Sequence, residues 1–357
     1  MPFSNIPPER IRKLVSIVTT VTLVVALFIV MLGLISFRRR AHIRDISPSI
    51  TVAQDGSGDF TTVIEAIAAA PSHSKKYFGI RIKAGVYNEI IRVPHEKTRL
   101  ALMGEGTAVT FISFNRSERD GWAEDDTATV GVTGGGFVAM DISFENSAHP
   151  SKGYAVALSN SAHRSAFQRC SFNGSQRVIR AVSGTQFYGE SDIYGAEDVI
   201  AGNAAAVFQK CIVHVRKALP GSKNVLTRQT RDRLLSSTGF VFHDTTVVAA
   251  AGFDYPGPVY LGYPGRAYAR VVFMQCYLSD VVSPQGWLLA GVEHPETLYY
   301  GEYNNTGPGA NTKKRATMRG IRLITTASMA THFTVASFLE GKEWLPRTTV
   351  KFVPGFL

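Results

Sequence analysis

Cysteine is scarce: the 357 residues hold three, Cys170, Cys211 and Cys276. Three cysteines make no disulfide framework, and at least one stays unpaired within the chain. Clear helical periodicity is also rare, and short β-branched runs outnumber it. No arginine-rich helix, zinc-ligand spacing or aromatic–basic RNA motif occurs, which argues against a nucleic-acid partner and against a bound metal. Formal charge is unevenly placed. The first 40 residues carry six Lys/Arg against one Glu, and the remainder carries 32 against 27, so the net +10 shrinks to a mildly basic body. Such a surface suits an acidic polymer and equally suits an ordinary soluble domain.

One long apolar run is present, LVSIVTTVTLVVALFIVMLGLISF, residues 14–37, without a formal charge. It is long enough to span a bilayer and longer than a secretory h-region usually is. No small-x-small cleavage site follows it, but Arg38-Arg39-Arg40 does. The reading is a short cytosolic tail (1–13), a single transmembrane signal anchor (14–37), a basic linker (38–49) and a lumenal folded domain (50–357). Basic residues flank both ends of the run, so the positive-inside rule does not set its orientation. The arginine triplet could also serve as a processing point that frees the domain. Sequons at Asn115, Asn173 and Asn304 fit passage through the secretory route.

The cysteines share a spacing. Each follows an aromatic residue by three: Phe167 and Cys170, Phe208 and Cys211, Phe273 and Cys276. The slot recurs as Tyr188 with Ser191 and Phe242 with Thr245, and more weakly as Ala139 with Ile142. Each unit carries short alternating strands such as SAFQRCSFN and AVFQKCIVHV. Irregular repeats of this kind are what a parallel β-solenoid needs. A β-sandwich would supply similar strands, yet few hairpin signals separate these segments. The pattern therefore predicts an all-β, right-handed parallel β-helix in which the aromatics stack in one ladder and the Cys/Ser/Thr slots in another. On that frame Arg177, seven residues after Cys170, and Asp198, seven after Ser191, occupy equivalent places on adjacent coils. At the strand–strand spacing of roughly 4.8 Å they would form a salt bridge. Gly134-Gly135-Gly136 lacks a following Lys-Ser/Thr and reads as a turn.

The stretches TVAQDGSGDFTTVIEAIAAAP, IKAGVYNE, LMGEG, DISFENSA, YLGYPGRAYARVVFMQCYLSDVVSPQGW and TLYYGEYNNTGPGA together resemble the plant-type pectin methylesterases, over about residues 50 to 355. The resemblance implies a right-handed parallel β-helix and hydrolysis of the methyl ester on galacturonate units of pectin, without a cofactor. The inhibitor-like pro-region of many plant members has no counterpart here. Family members look like Q-D-S-L-Y followed a coil later by V-D-F-I-F-G-N, the second Asp being the nucleophile and the first the general acid/base. On that pattern Asp198 in EDVIAGN keeps the nucleophile position and Gln176 keeps one oxyanion glutamine. Arg177 stands where the acid/base would be, and Arg180 replaces the tyrosine of the same motif. Tyr154, in YAVAL, takes the place of the other glutamine. Tyr263 takes that of the arginine in L-G-R-P-W, and Gly265 that of its tryptophan. Thr129 and Trp287 match substrate-contacting positions, Trp287 with a structural role as the alternative.

A guanidinium does not release its proton at working pH, so Arg177 removes the proton shuttle. General acid–base catalysis is typically worth ~10²–10⁴-fold, and one oxyanion donor roughly 10²–10³-fold. The hydroxyl of Tyr154 could stand in for part of the latter. Neither His163, on the loop before Phe167, nor Arg266, Asp192 or Glu197 supplies a replacement acid, since alternation points Glu197 away from the face of Asp198. The expectation is a pectinesterase-family protein of cell-wall pectin modification with impaired catalysis. The alternatives are a pectin-binding pseudoenzyme, with Arg177 and Arg180 meeting galacturonate carboxylates, and a membrane-tethered structural β-helix. Homogalacturonan is the expected partner, beside the membrane, and nothing suggests an oligomer.

Overall fold

A computed structural model of the protein describes residues 46–252 and 257–357. The apolar run 14–37, the arginine triplet and the expected tail lie outside the described residues. Among the described residues no helix is long and apolar enough to cross a membrane. A compact unit runs from Ile46 to Leu357.

The strands are short and assemble into an eleven-stranded, an eight-stranded and a six-stranded sheet, with a further two-stranded pair. Neighbours in each sheet pair in parallel, and successive coils add one strand to each large sheet. Thr185–Gly189, Asp192–Gly195 and Ile200–Gly202 make one such coil. The chain is thus a parallel β-helix. The helix Val63–Ala69 buries Val63, Ala66 and Ile67 against the first coil, and Thr62 caps it by accepting from the Glu65 N–H.

The repeat spacing has a direct physical cause. Phe167, Tyr188, Phe208, Phe242 and Phe273 occupy register-matched places on consecutive strands of the eleven-stranded sheet. Their rings stack inside the coil at 4.9, 4.6, 4.9 and 4.3 Å between centroids, within 13° of parallel. Each such pair contributes about 0.5–1.5 kcal/mol beyond the area it buries. Two residues after each aromatic, one residue turns the corner in the left-handed region: Arg169, Glu190, Lys210, Asp244 and Gln275, with Asp141 a coil earlier, at φ of 50–59°. That conformation costs an L-residue roughly 1–2 kcal/mol. It is offset by corner N–H groups that donate into the next coil, as Glu190 does to the Gln209 carbonyl at 3.0 Å and Lys210 to that of His243 at 3.0 Å. The side chains alternate in sign from Asp141 to Asp244, and Arg169 grips Asp141 through two bonds of 2.7 Å.

The residue after each corner forms the second ladder. Cys211 Sγ donates to the Tyr188 carbonyl (3.4 Å), Thr245 Oγ1 to that of Phe208 (3.0 Å) and Cys276 Sγ to that of Phe242 (3.3 Å). All three cysteines are unpaired and buried, and burial pushes each thiol up to about 12. A raised pKa means less thiolate at pH 8. Iodoacetamide should therefore label none of the three in the native protein and all three after unfolding, the native rate being well over tenfold slower. Fast native labelling of any one would show that its coil opens.

The outer face of the eleven-stranded sheet is covered as well. Ala166, Phe187, Val207 and Val272 pack there against Phe333, Val335, Leu345 and Val350 of the C-terminal segment. The six-stranded sheet differs. Its inward residues are buried and mostly apolar, with Asn160, Thr227 and Gln229 the polar ones, whereas its outward rungs run Arg92, Gly131, Ser159, Arg180, Ala201, Arg228. Small residues between arginines leave a groove on this face.

Candidate active site

Arg177 and Asp198 each occupy a left-handed corner, φ 52° and 47°, where a coil passes from the eight-stranded to the six-stranded sheet. Gln176 and Glu197 bridge in parallel just before them, and the Arg177 N–H donates to the Glu197 carbonyl at 3.2 Å. The corner turns both side chains outward at the rim of the groove. Asp198 is nevertheless only 5% exposed.

The expected Arg177–Asp198 salt bridge is not the main contact of either residue. Arg177 Nη2 lies 3.9 Å from Asp198 Oδ2, whereas Arg228 Nε donates to that oxygen at 2.5 Å. Arg177 is drawn aside by Glu124, to which Nη1 donates. Its Nη2 lies 3.5 Å from the Tyr154 hydroxyl, and its guanidinium sits 4.1 Å from the centroid of that ring. Arg180 contacts Asp125 and lies 3.6 Å from Glu124. The result is an alternating chain of charges, Asp125–Arg180–Glu124–Arg177–Asp198–Arg228. Its first two carboxylates, Asp125 and Glu124, come from a single 3-10 turn, Glu124–Thr127, that Thr127 anchors: its Oγ1 donates to the Glu124 carbonyl and accepts from the Val156 N–H.

Burial pushes the Asp198 carboxyl above its ordinary value, and Arg228, then Arg177, pull it back only in part. For Arg177, burial is the largest single influence and opposes the charge, but the bond to and charge of Glu124, with Tyr154 and Asp198, together outweigh it, and its pKa moves up. A guanidinium at this corner keeps its proton near neutral pH.

The other expected site residues divide. Tyr263 is half-buried beneath Arg228, whose guanidinium lies 4.9 Å from its ring centroid, so the tyrosine steadies the arginine that holds Asp198. Gln176 commits one amide hydrogen within the chain, Nε2 donating to Glu197 at 2.6 Å. Thr129 is fully buried and donates to the Glu145 carbonyl at 2.8 Å, which corrects its reading as a substrate contact. Trp287 is corrected on the same ground. It is 1% exposed, stacked on Tyr300 at 4.3 Å, and its indole N–H donates to Glu302. Arg177 and Arg180, expected to meet a polymer's carboxylates, are paired within the chain to Glu124 and Asp125. Asp192 pairs with His214 at 2.8 Å, and His163 lies on a turn elsewhere. Gly265 and the exposed Arg266 join Arg177, Arg180 and Arg228 around a cavity of about 230 Å³. Among the described residues Arg266 has no carboxylate within 4 Å, and no cluster of three or more His, Cys, Asp or Glu could hold a metal.

Sequence reasoning missed Glu124, Asp125 and Arg228. A signal existed for the last: in T-R-Q, Thr227 and Gln229 are the buried partners of the Ile200–Gly202 strand, so Arg228 must face the groove.

The family profile described as Pectinesterase matches residues 49–342. A probable pectinesterase/pectinesterase inhibitor 39 of Arabidopsis thaliana is 43% identical over 323 residues, covering 88% of this chain and 60% of that protein. A pectinesterase of Daucus carota is 41% identical over 314 residues, covering 87% of this chain and 98% of its own. The chain spans only about half to three-fifths of the length of the Arabidopsis relatives. Among solved structures, the pectin methylesterase from carrot superposes with a TM-score of 0.84 at 41% identity, covering 88% of this chain and 99% of that one. The Aspergillus niger pectin methylesterase gives 0.73 at 29%, covering 84% and 97%.

Proposed function

The chain belongs to the pectinesterase family, and on that premise we propose that it takes methyl-esterified homogalacturonan into the groove of the six-stranded sheet and hydrolyses it slowly or not at all. The observation behind this reading is the bonding of Asp198. Attack of its carboxylate on the ester carbonyl would form a tetrahedral oxyanion. Collapse of that oxyanion expels the methoxide, which must take a proton, and leaves an acyl-enzyme anhydride that water has to cleave with the help of a base. Arg177 can neither give the first proton nor accept the second. Arg228 ties down one oxygen of the nucleophile, and one of the two Gln176 amide hydrogens is engaged by Glu197. A groove in which Arg177, Arg180 and Arg228 already have carboxylate partners favours the uncharged, esterified stretches of the polymer. The localisation that goes with this reading is the secretory pathway, with residues 14–37 as anchor and the β-helix lumenal or in the cell wall.

The test is methanol release from highly methylated pectin by the full-length chain, with the carrot enzyme and Asp198→Ala alongside. Expected is a rate at least ~10²-fold below the carrot enzyme, the loss associated with a missing general acid, with Asp198→Ala removing whatever remains. Equal rates would overturn the impairment. Residual turnover that survives Asp198→Ala would dismiss Asp198 as the nucleophile.

A further inference from the structure

The largest cavity among those described lies away from this groove. It measures about 610 Å³, inside the range of small-molecule sites, and is walled by turns of the first four coils and by the C-terminal Trp344 and Arg347. The turns are those that lead into the eleven-stranded sheet, around the corner from the six-stranded one. Backbone bonds stack them: the Arg99 N–H donates to the Gly135 carbonyl at 2.8 Å and the Gly136 N–H to that of His163 at 2.9 Å. Gly136 holds φ 74°, and a Cβ there would come within 3.2 Å of the Arg99 stem. The glycine triplet therefore makes room for an arginine.

The charged residues of the wall are all cationic. Lys75, Lys76, Arg99, Arg164 and Arg347 line it, and no Asp or Glu does. Among the described residues none of these five has a carboxylate within 4 Å. Lys75, Lys76 and Arg347 are exposed, while Arg99 is half-buried with Nη1 on the Ser74 carbonyl at 3.1 Å. Tyr77, half-buried between Arg99 and Arg347, keeps its hydroxyl proton because burial pushes it up to about 12. The contrast with the groove is chemical: there each arginine of the alternating chain has its own carboxylate, and here five cations share none.

We propose that this cavity binds a run of de-esterified galacturonate residues, the carboxylate-rich form of the polymer whose esterified form occupies the groove. The ligand assignment rests on the reading of pectin as the substrate. A linear polyanion suits the place because coil stacking sets the cations in a row along the solenoid axis, Arg99 and Arg164 two coils apart. A compact headgroup or a lone phosphate would engage only part of that row.

Calorimetric titration of the full-length chain with a fully de-esterified oligogalacturonate tests this, with inorganic phosphate and phosphatidylserine vesicles as further probes. Expected is binding to the oligogalacturonate that weakens as salt rises past the screening range. Lys75→Glu with Arg347→Glu, both exposed and tolerable to the fold, should weaken it at least tenfold, and Arg99→Ala should do so independently. Lys313→Ala, exposed and lining neither this cavity nor the groove, should leave it unchanged, and Arg266→Ala reads any binding in the groove. Loss of binding only in Arg266→Ala, binding to vesicles but not to the oligogalacturonate, or no binding at all would each overturn the proposal. Methanol release does not enter this readout, so a chain silent as an esterase can still pass, and an active one can still fail.

Discussion

Arg315→Ala is expected to lower the stability of the β-helix by about 3–5 kcal/mol, the range for removing one partner of a buried ion pair. Arg315 and Glu302 are each 3% exposed in their side chains. They meet through Nε–Oε1 at 2.8 Å and Nη2–Oε2 at 3.0 Å, and the remaining guanidinium donors reach the carbonyls of Ser283, Pro284 and Gly309. Glu302 occupies the rung after Phe273, so a carboxylate sits where the aromatic ladder would continue. Without Arg315 it would keep only the Trp287 N–H, at 3.1 Å, as a buried charge with one donor. Urea unfolding at constant m-value reads the loss. The paired replacement Glu302→Gln with Arg315→Met should recover most of it, because no charge is then left behind. A loss below about 1 kcal/mol in Arg315→Ala would mean that water reaches the pair.

Arg177→Asp combined with Glu124→Gln is expected to raise methanol release by ~10²–10⁴-fold, the range associated with a general acid–base. The second change matters because Arg177 is Glu124's closest partner, and a carboxylate left at the rim with only the more distant Arg180 would repel the new one. With both changes, two carboxyls face each other across adjacent corners. Mutual repulsion together with burial lifts one of them into the range where it can donate a proton. Arg228 still steadies Asp198. The gain stays bounded by Tyr154, where a second oxyanion donor is expected, and by the Gln176 amide held on Glu197. A variant that folds with an unchanged melting temperature and still releases no methanol would place the deficit in the oxyanion groups rather than in the proton shuttle.

The ladder was legible in the sequence because a solenoid returns every coil to the same place: the interval from Phe167 to Tyr188 is also a distance in space. The corner equivalence of Arg177 and Asp198 followed from the same arithmetic. The partners of those residues did not: Glu124 comes from a segment that no repeat aligns, and Arg228 from the strand of the following coil rather than from its corner. Glu124 precedes Arg177 by 53 residues on an irregular excursion, and Arg228 follows Asp198 by 30. Family matching placed Thr129 and Trp287 in the cleft, yet burial is a property of the packed coil and not of the motif. Tyr263 could be read as the loss of an arginine, but not as the platform under another one.

The left-handed corners carry a consequence for how this solenoid can change length. Along Asp141, Arg169, Glu190, Lys210 and Asp244 the sign of the corner charge reverses at every coil. Loss or duplication of a single coil would break that parity and set like charges one strand spacing apart, unfavourable by about 1 kcal/mol in water. Two coils exchanged together preserve it. The molecule's unit of growth, on this edge, is therefore the pair of coils.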